Sequence, residues 1–347
     1  MNKKFYLLIF LLLVTRLVQA QQSLDINFNG FGFLDNREYR AFTERSRTYS
    51  GARLALDVGL NLDSLNHFMV GINGIHEFGA KPYFLRVDPV AYYKFESSKW
   101  LFNAGMFPRA GLLSNYPRAI LNDTLMYYRP NVEGLLTRYQ GEHGNITLWL
   151  DWVSRQTAND REQFLFGTSG KYLPNAFGPL YVSHYFMLLH DAGPAVSIPG
   201  DHIRDNGAAQ IRLGYNFGKR TMFDSLSVEA GGMVSLERER SSAAGGGGWN
   251  TPLGVVVSAY ASYGRFALHD EFYKGEGHTV TYGDSFYQKK IYNRLDIIYT
   301  PFLFKHIKGQ FILSLHQSPG QLSDNQQAFR IVYDLGRKKI LNFKDDN

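Results

Sequence analysis

The segment GARLALDVGLNLD, residues 51–63, alternates strictly between apolar and other side chains. Its even-numbered positions are all apolar, whereas its odd-numbered positions include Arg53, Asp57 and Asp63. A period of two is typical of a β-strand, because successive side chains of a strand point to opposite faces. Such a strand fits a soluble sandwich with its leucines turned inward. It also fits a membrane barrel whose leucines face lipid and whose charges face a wet lumen.

The same alternation recurs along the chain, and it predicts an all-β protein. It is found in residues 83–97, 145–152, 208–218, 225–237, 293–300, 309–316 and 328–334. Turn residues between these segments divide the chain into about sixteen strands, and about fourteen would also fit. The sequence contains no convincing amphipathic helix, domain linker or short repeat.

The connections between the strands decide between the two architectures. One set is mostly short and includes residues 63–67, 142–145 and 305–309. The other set is mostly long and polar, and its members are residues 35–50, 108–131, 191–206, 238–252 and 274–287. Short turns at one end and long loops at the other are typical of an outer-membrane barrel. The sequence therefore predicts a closed antiparallel transmembrane β-barrel with the leucines facing lipid.

The N-terminal residues predict export. Lys3 and Lys4 precede an apolar run from Phe5 to Val14, and Ala20 ends a suitable cleavage site. We therefore expect a signal peptide at residues 1–20 and a mature barrel at residues 21–347 in the outer membrane. The chain has no cysteine, which excludes disulfides and thiolate metal sites. The net charge is +6, but both signs are interleaved along the chain, so we expect no nucleic-acid partner.

These features together resemble the porin-type barrels of Gram-negative outer membranes. The residues QAQQ at positions 19–22 and the lack of a C-terminal aromatic residue resemble barrels of the Bacteroides-type phylum. Many porin-type barrels end on an aromatic residue that the insertion machinery reads, whereas residues 335–347 follow the last clear strand here. The resemblance implies outer-membrane lipid and the barrel-insertion machinery as partners, and it leaves a homo-oligomer open.

The polar faces of the strands predict a charged lumen. A water-filled lumen keeps such residues hydrated, and most of them can pair across neighbouring strands. Alternatively, they form an electrostatic path that selects solutes. The predicted lumen-wall charges are Arg53, Asp57, Arg86, Asp88, Lys94, Arg138, Asp151, Arg212, Glu229, Arg294 and Asp296.

The longest connection, residues 108–131, is the best candidate for a pore constriction. The resemblance to porins implies that this third loop folds into the channel and narrows it. The alternative is that the loop lies outside, as a cap or a subunit contact. The candidate constriction residues are Arg109, Tyr116, Arg118, Asp123, Tyr127, Arg129 and Glu133.

The function that follows from this reading is passive diffusion of small polar solutes. Basic residues in the first and third loops favour anionic or sugar-like solutes. The alternative is a non-conducting barrel whose loops bind a partner, in adhesion or as an assembly scaffold. Neither function needs catalytic residues, a metal or another cofactor, and we expect the protein not to be an enzyme.

A barrel hydrolase is the third hypothesis, and it rests on histidines. Two His-Asp pairs occur in the sequence, His190-Asp191 and His269-Asp270, and such a pair activates water in omptin-type proteases. Adjacent residues of a strand point to opposite faces, so each pair could act only at a strand end or bulge. A phospholipase would need a serine and a histidine on the lipid side, and we could name no serine partner for His76.

Overall fold

The computed structural model describes residues 22–40, 45–176, 178–196, 201–218, 221–241, 247–321 and 323–343. The predicted signal peptide lies outside these residues. The strands are β1 (Gln22–Glu38), β2 (Arg47–Asn61), β3 (Asn66–Glu77), β4 (Arg86–Glu96), β5 (Trp100–Pro108), β6 (Asn131–Gly141), β7 (Gly144–Ser154), β8 (Gln163–Tyr172), β9 (Leu180–Asp191), β10 (His202–Asn216), β11 (Ser225–Ser241), β12 (Leu253–Tyr263), β13 (Phe266–Gly275), β14 (Ile291–Leu303), β15 (Ile307–Gln317), β16 (Asp324–Asp334) and β17 (Lys338–Phe343). A short helix, α1 (Thr124–Tyr128), and a 3-10 turn (Ser285–Gln288) lie in two loops. Among the described residues, no helix has the length and apolar character needed to cross a membrane.

Antiparallel pairing closes the sheet into a barrel. Consecutive strands from β1 to β16 pair with each other, and β1 pairs with β2 on one side and with β16 and β17 on the other. Asn29 of β1 lies opposite Asp334, and Ile26 lies opposite Lys338, so β16 and β17 continue one another along β1. The wall therefore has sixteen strands, which confirms the predicted fold.

The exposure of the side chains in β2 shows which face of this strand points inward. Leu54 and Leu56 are 51% and 41% exposed, whereas Arg53 and Asp57 are only 6% and 5% exposed. The leucines therefore form the outer wall and the charges face the interior. A soluble sandwich would show the reverse, because its apolar face would be the buried one.

The two ends of the barrel differ in their connections. At one end, which we call the turn end, most connections have two to four residues, such as 62–65, 142–143 and 264–265. At the other end, the loop end, the connections include residues 109–130 and 276–290. The first loop is shorter than predicted, because β1 and β2 extend to Glu38 and from Arg47.

The residues after Asp334 complete the wall at the turn end. β17 pairs with residues 22–26 of β1, and the side chains of Ile340, Leu341 and Phe343 are exposed. Without this segment, the first residues of β1 would present an unpaired strand edge.

Two loops fold into the barrel and form its apolar core with the inner wall. Leu113 and Ile120 of the third loop belong to one buried cluster with Phe286 and Tyr287 of the seventh loop and Trp149 of β7. The backbones of the two loops are joined by hydrogen bonds, for example from the Asn122 N–H to the Tyr282 carbonyl (2.7 Å). The loop-end half of the lumen is therefore packed like a protein interior.

Candidate functional site

The third loop begins with a buried arginine. Arg109 is 2% exposed and forms an ion pair with Asp151 of β7. Its Nε donates to the Arg129 carbonyl (2.9 Å) and its Nη2 to the Asn131 carbonyl (3.2 Å). These contacts join the two ends of the loop to the wall, so Arg109 stabilises the inward fold of the loop.

A second charged group holds the middle of the loop. Arg118 Nη1 and Arg330 Nη2 lie 2.8 Å and 2.7 Å from the same Asp123 oxygen. Burial opposes ionisation of Asp123, but the two guanidinium charges outweigh it and hold the pKa of this carboxyl well below its usual value. The carboxylate therefore stays charged and links the loop to β16.

The tyrosines of the loop also have specific partners. The Tyr127 ring stacks on Phe33 with centroids 4.4 Å apart, and its hydroxyl donates to Asp35 (3.2 Å). The Tyr116 hydroxyl donates to the Phe186 carbonyl (3.1 Å) and accepts from the Trp149 indole (2.7 Å). Burial raises the pKa of both hydroxyls. Their contacts hold the loop in place and leave no free stacking surface on these rings.

The side chains of the other two constriction candidates have different surroundings. Arg129 is half-buried and lies 3.4 Å from the Val153 carbonyl. Glu133 is exposed on β6 and shares its face with Leu135, which is 46% exposed on the outer wall. Six of the seven candidates therefore lie in the inward-folded loop, whereas Glu133 lies on the lipid-facing side of the wall.

The predicted lumen-wall charges are largely paired with one another or with neighbouring polar groups. Arg212 Nη1 lies 3.4 Å from Glu229 and 3.0 Å from Glu271, and Arg294 Nε lies 2.7 Å from Asp296. The remaining members have these contacts: Arg53 with Asn29, Asp57 with Asn27, Arg86 with Asp88, Lys94 with Glu96, Arg138 with Thr147 and Asp151 with Arg109.

The outer wall carries a His-Asp pair that alternation alone does not predict. His190, near the loop end of β9, lies on the same face as Leu188, and Asp205 lies opposite it on the outer face of β10. The His190 Nδ1 is 2.6 Å from Asp205 Oδ1. Placing ionisable side chains on the lipid-facing side costs free energy, and such residues mark functional sites in membrane proteins. This pair is therefore a candidate site.

The surroundings of the pair combine an aromatic face with a positive charge. The ring of Phe164 lies 5.0 Å from the His190 ring, and Trp152, which is 43% exposed, lies 5.6 Å from Phe164. Arg240 of β11 lies 3.6 Å from the second oxygen of Asp205. Aromatic rings mark the membrane interface of such barrels, so the site lies between water and the apolar wall.

The geometry of this pair suits general base catalysis. A carboxylate that accepts a hydrogen bond from Nδ1 fixes the tautomer of the imidazole and leaves Nε2 as a free base. The imidazole is partly exposed, with 25% of its side chain accessible.

A second histidine has a serine neighbour but no access. His278 Nδ1 lies 3.1 Å from Ser235 Oγ, and Ser235 donates to Glu237 (2.9 Å). His278 and Ser235 are 1% and 0% exposed, and burial lowers the pKa of the imidazole. A substrate cannot reach this pair without movement of the seventh loop, so the His190 site is the stronger candidate.

Comparison with known proteins now decides the family. The model of the Lipid A 3'-O-deacylase-type family matches residues 17–340 of this sequence, which is most of the chain. The chain belongs to this family. The expectation that the protein is not an enzyme is therefore wrong, because the family is an enzyme family. No curated protein matches the sequence.

Solved structures share the fold of this deacylase-family barrel. The loop L8 deletion mutant of OmpT, an outer membrane protein of Vibrio cholerae, has a TM-score of 0.53 at 10% identity, with 90% of this chain and 99% of that chain covered. The anion-selective porin from Comamonas acidovorans has a TM-score of 0.51 at 14% identity, with 91% and 100% covered. These similarities show an outer-membrane barrel of the porin type and nothing finer.

The structure separates the two residues of each His-Asp pair that the sequence suggested. Asp191 points to the inner face and pairs with Arg161, whereas the partner of His190 is Asp205 across the sheet. Likewise, His269 lies 3.8 Å from Asp296, and Asp270 instead accepts from Asn293. The pairing of β9 with β10 creates the site, and strand register cannot be read from a single sequence. Among the described residues, no group of three His, Asp or Glu is arranged to hold a metal ion.

Proposed function

We propose that this barrel hydrolyses an acyl ester of lipid A at the outer-wall pair of His190 and Asp205. The observation that carries the proposal is this pair, which faces lipid at the loop end of a chain that belongs to a deacylase family. Long loops lie on the outside of the cell in such barrels. In that orientation, the pair lies at the level of the outer leaflet, where lipid A is found.

The reaction uses His190 as a general base and then as a general acid. Asp205 accepts a hydrogen bond from Nδ1–H and orients the imidazole ring. Nε2 takes a proton from water, and the resulting hydroxide attacks the ester carbonyl carbon. When the tetrahedral intermediate collapses, the acyl–oxygen bond breaks and Nε2–H gives its proton to the leaving sugar oxygen. The products are a free fatty acid and a sugar hydroxyl.

We assign to Arg240 the stabilisation of the negative charge of the intermediate. Its guanidinium lies 3.6 Å from Asp205, and its Nε is buried without a hydrogen-bond partner. A hydrogen-bond donor directed at the developing oxyanion lowers the activation free energy of ester hydrolysis, as the donors of an oxyanion hole do. The same positive charge suits the phosphate groups of lipid A.

Kinetics of purified variants in lipid A-containing vesicles test the proposal. We expect His190→Gln to lower the rate of fatty-acid release by about 100-fold or more. Asp205→Asn should lower it strongly as well, because an amide cannot hold the same tautomer. The matched control is His184→Gln, since His184 lies on the same face of β9. Equal rates in His190→Gln and His184→Gln would contradict the proposal.

A channel is the second candidate function, and a cavity in the lumen favours it. This cavity of about 290 Å³ is lined by Arg53, Arg109 and Arg330, among other residues. Arg109 and Arg330 are paired with Asp151 and Asp123, whereas Arg53 keeps its Nε and Nη1 without a hydrogen-bond partner, and this guanidinium group suits a small anionic solute. Bilayer recordings test this candidate: conductance that falls on addition of a small anion supports it, and a silent inserted protein contradicts it. The predicted insertion machinery and homo-oligomer stay predictions.

A further inference from the structure

We propose that the cavity in the lumen binds a phosphate group, and that the bound anion stabilises the inward position of the third loop. This inference rests on the candidate channel function, whose solute class it names. The cavity of about 290 Å³ lies between the third loop and the inner wall. The residues that line it from the loop include Gly111, Ser114 and Met126, and those from β2, β15 and β16 include Arg53, Lys308 and Arg330.

Arg53 is the residue that points most directly to a ligand. Its side chain is buried, and Nε and Nη1 have no hydrogen-bond partner. Nη2 donates to Asn29 Oδ1 over a long distance of 3.4 Å. A buried charge without a partner costs free energy. An anion in the cavity supplies the acceptor atoms and the opposite charge that Arg53 lacks.

Further donors surround the same space. Arg109 and Arg330 form ion pairs with Asp151 and Asp123, but Arg109 Nη1 and Arg330 Nε are buried without a hydrogen-bond partner. Lys308 adds an ammonium group to the lining. Among the described residues that line the cavity, none is acidic. The lining therefore carries free donors and a surplus of positive charge.

The arrangement of these donors favours a phosphate group over a carboxylate or a halide ion. Donors come from the third loop and from three strands, so they approach the cavity from several sides. A phosphate group has several acceptor oxygens and carries a charge of about −1.5 to −2 near pH 7. Guanidinium groups match its geometry well. Inorganic phosphate and a small phosphomonoester share this chemistry.

The ligand enters from the turn end of the barrel. Lys308 is exposed and Val332 is 41% exposed, although both lie on the inner face. Both residues also line a recess with Lys305 and His306, which belong to the turn between β14 and β15. The cavity therefore opens towards the turn end, which faces the periplasm in such barrels.

A bound anion links the third loop to the wall. Arg109 holds the two ends of this loop, and Arg330 holds its middle through Asp123. The cavity lies between these two arginines and is closed on one side by the loop. A ligand that binds only when the loop is folded inward stabilises that position. Phosphate in the periplasm thus keeps the loop-end half of the lumen packed.

Calorimetric titration of the purified barrel with inorganic phosphate, at constant ionic strength, tests the site. We expect Arg53→Met to weaken binding about tenfold or more, since charged hydrogen bonds are lost, and Arg53→Lys to weaken it less. Both variants should keep the heat-modified gel migration of a folded barrel, because Arg53 forms no ion pair. The control is Lys171→Met, which removes one positive charge from the inner face of β8, away from the cavity.

A parallel titration with glycerol phosphate separates the two sources of the phosphate group. Tighter binding of glycerol phosphate assigns a phosphomonoester, and tighter binding of inorganic phosphate assigns the free ion. A folded wild-type barrel that binds neither probe would overturn the proposal. Equal losses in Arg53→Met and Lys171→Met would also overturn it, because they would reflect only the net charge of the lumen.

Hydrogen exchange tests the effect on the loop. Phosphate should raise the protection of residues 109–130 in the wild type and not in Arg53→Met. Protection that is unchanged while phosphate binds would overturn the link to the loop. Arg53-dependent binding in a barrel that never conducts would support the site and end the channel candidate. A conducting barrel whose phosphate binding is indifferent to Arg53 would end the site alone.

Discussion

Single positions show why the wall has its two faces. Leu56 is 41% exposed on the outer wall, and its neighbour Asp57 is 5% exposed and accepts a hydrogen bond from Asn27 (3.1 Å). The faces of β2 follow from alternation and are therefore readable in the sequence. The His190–Asp205 contact was not readable, because it depends on how β9 is aligned with β10.

We expect Leu56→Arg to destabilise the folded barrel by about 2–4 kcal/mol if the site lies near the membrane midplane, since a charge there faces lipid. Asp57→Asn, one residue along, should be tolerated because the amide stays in the polar interior. Urea titrations of the two variants in vesicles measure both effects. Equal tolerance of the two changes would mean that the faces are reversed.

Among the elements, the third loop is the one whose contacts with the barrel wall could least be predicted from its composition. The resemblance to porins implied an inward fold, but it did not predict that the partners of Arg109, Arg118 and Asp123 lie on β7, β14 and β16. The strand ends were also misjudged: polar residues at the loop ends of β1 and β2 interrupt the apolar alternation, although the backbone ladder between the two strands continues to Arg37 and Arg47.

Acid should loosen the third loop at Asp123. The pKa of this carboxyl is lowered in the folded protein, so its stabilising contribution is present above its ordinary value of 3.8 and is lost as pH falls below it. We expect the protection factors of residues 118–128 against hydrogen exchange to fall below about pH 4. In Asp123→Asn, two guanidinium groups lose their partner, so exchange should be fast already at pH 7. Acid-independent protection of this segment in the wild type would contradict the assignment.

The whole molecule is a closed wall whose loop-end half is packed by two inward-folded loops. The sequence predicted the closed barrel and about sixteen strands, because alternation and turn residues are local signals. It did not predict that residues 338–343 complete the barrel beside β1, since this pairing joins the two ends of the chain. Closure explains how a barrel without cysteine is held together.

Removal of residues 338–347 should expose the edge of β1 at the turn end. We expect the truncated barrel to unfold at a lower temperature and to aggregate more readily, because residues 22–26 lose their partners. Gel migration of unboiled samples after graded heating measures the change. Truncation after Phe343 is the control, and an equal unfolding temperature for both proteins would contradict the role of β17.

The central claim is that this barrel is a hydrolase that acts from its outer wall. Its most direct test is mass spectrometry of lipid A incubated with the purified wild-type protein in vesicles made in ¹⁸O-labelled water. The account predicts loss of one acyl chain from lipid A, with the label in the released fatty acid and not in the sugar, and no loss with His190→Gln. Intact lipid A after incubation with a folded wild-type barrel, or equal cleavage by His190→Gln, would contradict it.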